Sequence, residues 1–247
     1  MQNSQRAKLL HETALLRLSS EIKLWLSYIA LLQKDLKDIT LVRVCFEKCR
    51  NVFQADPSKL ADLIQINLHQ ALFEEQQSSV PKARKIYENL ITEVAPGHLK
   101  STLAFIAFEM RQNNNERVKD LYFKQLESAL ARSDALAATF LAIKYARFLI
   151  FKCNDVLRAC DVLERTGQQV KSSKIFYLSQ LNLLKHLEGL GQLPSTPKAA
   201  GSRVISTYER AIYNSQLSQS DRQEIATSYL EYIQENALLV SQIKAVE

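Results

Sequence analysis

An apolar residue followed by glutamate closes one stretch of helical patterning after another along this chain, about every forty residues. Phe73-Glu74, Phe108-Glu109, Leu187-Glu188 and Leu230-Glu231 form one series, and Leu31-Leu32 and Phe148-Leu149 hold the same places without the acid. A second series falls between them at His11-Glu12, Phe46-Glu47, Tyr87-Glu88, Leu163-Glu164 and Tyr208-Glu209, with Tyr122-Phe123 as its departure. The offset from first to second series is nearly constant, as in Phe73 to Tyr87 and Phe108 to Tyr122. Two interleaved series at that spacing predict two antiparallel helices per repeat. The expected fold is therefore all-α, a right-handed superhelical solenoid of about thirteen helices with no sheet.

Within each segment the apolar positions follow helical periodicity. Trp25, Tyr28 and Leu31 share one face at i, i+3 and i+6, and Val42, Cys45, Phe46 and Cys49 share the face of the next segment. The spacing predicts one array over 1–247. It comprises a half repeat (1–18), repeats at about 20–54, 58–95, 98–131, 133–167 and 171–216, and terminal helices over 219–247. The half repeat lacks its first-series partner, which reads as a piece of a longer array, the favoured reading, or as an N-terminal cap. Breakers fall where turns are needed, at Pro57, Pro81, Pro96, Gly97 and Gly167. Pro81 suits a first helical turn, where no N–H is required. Ser133 and Asn154 have the chemistry of N-caps. The fifth repeat is longer than the rest because 189–201, rich in Gly, Pro and Ser, forms a loop between its two helices. Asn236 is expected to interrupt the terminal segment.

That terminal segment changes the picture most. A last repeat normally turns a polar face outward, but here Tyr229, Leu230, Ile233, Leu238, Leu239 and Ile243 are apolar. These six are the expected contact surface for a second copy of the chain.

Candidate chemistry is sparse. The recurrent glutamates are placed once per helix, which is a structural rhythm. Glu74 and Glu109 are expected to reach basic groups on adjoining helices, Arg84 and Lys119 among them. Cys45 and Cys49 lie one helical turn apart, but no second Cys or His pair with zinc spacing accompanies them; buried free thiols are expected, and no metal. The four histidines are scattered, and neither a P-loop nor a dinucleotide fingerprint occurs. No catalytic residue, no cofactor and no enzymatic activity are expected. The aromatic series is read as core packing, with base stacking the rival reading. A formal net charge of +6 weakly favours an anionic partner, RNA or an acidic protein segment. No run of 18 apolar residues crosses the sequence, so no membrane partner is expected.

The residues Trp25, Tyr28 and Leu31, followed by Ala83-Arg84-Lys85-Ile86-Tyr87-Glu88, resemble the HAT (half-a-TPR) repeat. Its motif maps here onto Trp25, Tyr28, Phe73, Glu74, Arg84, Tyr87, Glu88, Phe108, Glu109, Tyr208 and Glu209. The runs Leu72-Phe73-Glu74-Glu75-Gln76-Gln77 and Lys144-Tyr145-Ala146-Arg147-Phe148-Leu149 resemble the C-terminal HAT array of the pre-mRNA-processing factor 39 family. Departures are Gln70, where an aromatic is the rule, and Leu32 and Leu149 in place of glutamates. The resemblance implies a nuclear scaffold of pre-mRNA splicing, associated with proteins of the U1 small nuclear ribonucleoprotein and with 5′ splice-site recognition. It implies homodimerisation through the C-terminal repeats. An RNA-binding or 3′-end-processing HAT scaffold, or a non-catalytic helical-repeat subunit of an enzyme complex, remains open as an alternative.

Overall fold

The computed structural model describes residues 2–193 and 203–246, with side chains described over 4–193 and 203–236. The described residues form twelve α-helices and no strand. The chain divides into two compact units, Met1–Gln112 and Asn113–Glu247. The first holds α1 (Gln2–Arg17), α2 (Ile22–Leu31), α3 (Ile39–Gln54), α4 (Leu60–Gln76), α5 (Val80–Asn89) and α6 (Leu99–Arg111). The second holds α7 (Asn115–Ala131), α8 (Ala135–Cys153), α9 (Val156–Gln169), α10 (Lys174–Gly189), α11 (Arg203–Tyr213) and α12 (Gln219–Val246). Wider π turns, Leu32–Leu36 and Leu90–Val94, prolong α2 and α5, and each buries its first leucine completely.

Inside each unit every helix packs on the next in sequence, and α4 also touches α6 as α8 touches α10. Short turns with contact between each first helix and the next first helix are the mark of stacked hairpins. The all-α pattern of helix pairs is as the two interleaved series predict. The core of the first unit gathers Trp25, Tyr28, Phe46, Phe53 and Phe73. In the second unit a core forms around Tyr177, Leu181, Val204, Tyr208 and Tyr232. Buried aromatics of this size supply most of the apolar surface that stabilises a hairpin pair, about 1.5–3 kcal/mol for each large side chain.

The turns differ from the expectation in a regular way. Ser133 and Asn154 do not cap. They take left-handed backbone, φ 58° and 53°, and the next residue caps instead. Asp134 accepts from the backbone N–H of Ala137 at 3.0 Å, and Asp155 from that of Arg158 at 3.0 Å. Reversing the chain within two residues requires one left-handed residue, which Asn and, less readily, Ser tolerate. The carboxylate that follows satisfies the free N–H groups and meets the positive end of the helix dipole. Lys37 and Asp38 repeat the arrangement before α3, and Asn113 and Asn114 repeat it before α7. Pro81 falls in the first turn of α5 as expected, after Ser79.

A second correction concerns the last helix. Asn236 does not interrupt α12, which runs unbroken from Gln219 to Val246. The Asn236 side-chain amide donates to the Tyr232 carbonyl at 3.0 Å, so its polar group is satisfied within the helix. The two expected terminal helices are one, and among the described residues twelve helices stand where about thirteen were expected. The expected loop at 189–201 lies largely outside the described residues: its first residues, Gly189 to Leu193, are described, and Gly191 turns at φ 64°.

Candidate functional site

The repeat motif residues converge on one recurring joint, where the second helix of one repeat meets the first helix of the next. At α3 and α4 the Phe46 ring lies 5.8 Å from that of Phe73. At α5 and α6 Tyr87 stacks on Phe105 at 5.4 Å and meets Phe108 at 5.2 Å. At α7 and α8 Tyr122 stacks on Tyr145 at 5.2 Å and meets Phe148 at 6.0 Å. At α11 and α12 Tyr208 stacks on Tyr229 at 4.9 Å and meets Tyr232 at 5.8 Å. Offset and tilted ring pairs at these distances contribute beyond the area they bury.

A guanidinium–carboxylate fork locks the joint where the sequence allows it. Arg43 Nε and Nη2 donate to the two Glu74 carboxylate oxygens, each at 2.8 Å. Arg84 Nε and Nη2 do the same to Glu109, at 2.6 and 2.9 Å. Glu74 is buried and Glu109 completely so. Those hydrogen bonds hold the Arg43 and Arg84 guanidinium pKa values above their ordinary level. Both arginines lie three residues before the aromatic of the second helix. The glutamates therefore reach back to the preceding repeat rather than forward.

Lys119 holds the same place before Tyr122, but Leu149 stands where the acid would be, and Lys119 pairs with the neighbouring Glu116 at 2.8 Å. The sequence pattern located Glu74, Glu109 and Arg84 but missed Arg43. Its spacing from Phe46, identical to that of Arg84 from Tyr87, is the signal that locates it. An exposed second fork, Arg111 on Glu75 at 2.8 Å, was also not anticipated.

Of the other motif residues, Trp25 and Tyr28 are buried in the first unit's core, and Tyr28 stacks on His11 at 5.6 Å. Trp25 donates its ring N–H to the Ser19 carbonyl at 2.8 Å, and Tyr28 donates to Glu12 at 2.7 Å. Glu88 is half-buried on α5, and Glu209 is exposed on α11. Near the C-terminus, Tyr229 is partly covered by Tyr208, whereas Leu230 is 60% and Ile233 41% exposed. The side chains of Leu238, Leu239 and Ile243 lie outside the described residues. Cys45, Cys49 and Cys160 are buried free thiols, and burial raises the pKa of all three. Among the described residues no cluster of three His, Cys, Asp or Glu side chains is suited to a metal. None of the described helices is long and apolar enough to cross a membrane.

Fold and joint together define a helical-hairpin repeat protein whose repeats are joined by stacked aromatics and, in the first unit, by buried Arg–Glu forks. Residues 1–111 match the family model described as PRP39 C-terminal HAT repeat, so the resemblance to HAT-repeat proteins rests on more than the motif residues. Pre-mRNA-processing factor 39 of Xenopus laevis is 25% identical over 181 residues, 73% of this chain. The chain spans about a quarter of that relative's length, 26%. The first 111 residues are thus similar to the C-terminal HAT repeats of that pre-mRNA-processing family.

Proposed function

We propose that the chain is a non-catalytic, homodimeric HAT scaffold of pre-mRNA splicing, working in the nucleus with proteins of the U1 small nuclear ribonucleoprotein in 5′ splice-site recognition. The observation that carries this reading is the match of residues 1–111 to the factor 39 C-terminal repeat, in the segment where both buried forks occur. A stack of helical hairpins presents long surfaces, and surfaces are what a scaffold uses. The joint carboxylates are engaged in holding repeats together, which leaves them no part in chemistry.

The dimer reading is supported by Leu230 and Ile233 on α12 and Tyr213 at the end of α11, which is 75% exposed. A two-fold contact is self-complementary, so each apolar side chain contributes twice, and several together offset the cost of association. Light scattering on the intact chain and on a chain truncated after Asn236 tests it. The intact chain is expected to be a dimer at micromolar concentration and the truncated chain a monomer; an intact monomer overturns the homodimer. Affinity capture from nuclear extract tests the splicing role separately. Proteins of the U1 particle are the expected partners, and a catalytic partner in their place favours the enzyme-subunit reading.

A further inference from the structure

The first unit carries a groove of about 950 Å³ between α3 and α5, with α4 as its floor. The two walls start side by side: Arg43, in the first turns of α3, donates to the Ser79 hydroxyl, at the residue that opens α5, at 3.4 Å. They also end together, so Phe53 in the last turn of α3 and Asp56 just beyond it share the groove with Glu93 and Val94 after α5. Polarity follows from this alignment. Lys82 and Lys85 stand exposed in the first two turns of α5, where the helix dipole is also positive. Glu93 and Asp56 stand exposed at the other end.

Arg43 is neutralised by Glu74, but Lys82, Lys85 and Glu93 form no ion pair among the described residues. Between these ends the α3 wall carries Glu47 and Arg50, one charge of each sign, and the amides of Asn51 on α3 and Asn89 on α5 line the rest. On the floor Gln70 is 7% exposed, and its Oε1 accepts no hydrogen bond among the described residues. A buried amide oxygen without a donor is unfavourable, and an N–H brought to this floor would satisfy it. Gln70 is also the position where the repeat motif has an aromatic, so a polar floor replaces an apolar one.

We infer that this groove binds an extended polypeptide segment of a partner protein, with acidic residues against Lys82 and Lys85 and basic residues against Glu93 and Asp56. From Arg43 to Gln54 a helical wall is about 17 Å long, which an extended chain covers in about five residues. Backbone N–H and C=O groups suit the Asn51, Gln70 and Asn89 amides, which both donate and accept. A polyphosphate backbone fits worse, because it would lie against Glu47, Asp56 and Glu93 along the same groove. The inference stands on the groove and does not depend on the splicing role or on dimerisation.

Selection of a random decapeptide phage library on the intact chain tests it, followed by fluorescence anisotropy of the enriched peptides. Enriched peptides are expected to carry an acidic and a basic cluster about five residues apart. The exposed double change Lys82→Glu with Lys85→Glu, checked for native helicity, is expected to weaken them at least tenfold. Substituting lysine for the acidic residues of the peptide is expected to restore binding to that variant. No enrichment, or enriched peptides indifferent to the double change, overturns the inference. So does a labelled twelve-residue oligouridylate that displaces the peptides and loses binding in the same variant, since the groove would then be an RNA site.

Discussion

Glu109 is completely buried, and Arg84 supplies its counter-charge through two hydrogen bonds. Removing one partner of such a pair leaves a charge in a poorly solvated place, at a cost of about 3–5 kcal/mol. Arg84→Ala is therefore expected to lower the unfolding free energy measured in urea by that order, and Arg84→Leu with Glu109→Leu to recover most of the loss. Arg111 shows the contrast. Its side chain is 48% exposed in its fork with Glu75, so Arg111→Ala is expected to shift stability by no more than about 1 kcal/mol. The thiols give a pH dependence. Burial pushes Cys45 up to about 11 and Cys49 up to about 12, from an ordinary value of 9.0. With the folded pKa raised, their contribution is fully present below pH 9 and is lost as pH climbs through the range up to 12. Urea midpoints measured from pH 8 to 10.5 are expected to fall more steeply for the wild type than for Cys45→Ala with Cys49→Ala. An equal slope in both would remove the thiols from the account.

Helix α9 shows how little room an element leaves at its contacts. A Cβ at Gly167 would lie 3.1 Å from Phe176 and 3.3 Å from the Arg210 guanidinium, so α9 approaches α10 and α11 through the one residue that permits it. Gly167→Ala overfills that contact. It is expected to cost about 1–3 kcal/mol, read as a lower thermal midpoint with unchanged helicity at 20 °C. The sequence pattern treated Gly167 as a breaker, because a glycine near a helix end usually is one; here it lies inside the last turns of α9, and its reason is steric. Helices and their pairing were legible because an apolar stripe at helical spacing is written locally. Ser133 and Asn154 were misassigned because a left-handed turn residue and an N-cap draw on the same polar side chains, and only the backbone angles separate them. The groove was not legible at all. Lys82 and Glu93 look like ordinary exposed charges until α3 is laid beside α5.

At the scale of the whole molecule, stacked hairpins couple mainly to their neighbours, so damage stays near where it is done. Arg84→Ala is expected to speed amide exchange in α5 and α6 while leaving α10 to α12 close to wild type. Uniform acceleration along the chain would show one cooperative body instead. The described joints are not equal: those at α3/α4 and α5/α6 carry a two-point fork, whereas at α7/α8 the rings stack, Leu149 stands in place of the acid and Lys119 is occupied by Glu116. Rings slide past one another with small loss until contact ends, while a bidentate fork resists displacement in its own plane. Under tension the chain is thus graded in stiffness, and an optical trap pulling on its ends is expected to record first yielding within 113–247, at the α7/α8 joint. A scaffold built this way has its compliance set by single side chains: one leucine at position 149, where four other repeats have glutamate, is expected to decide where it gives.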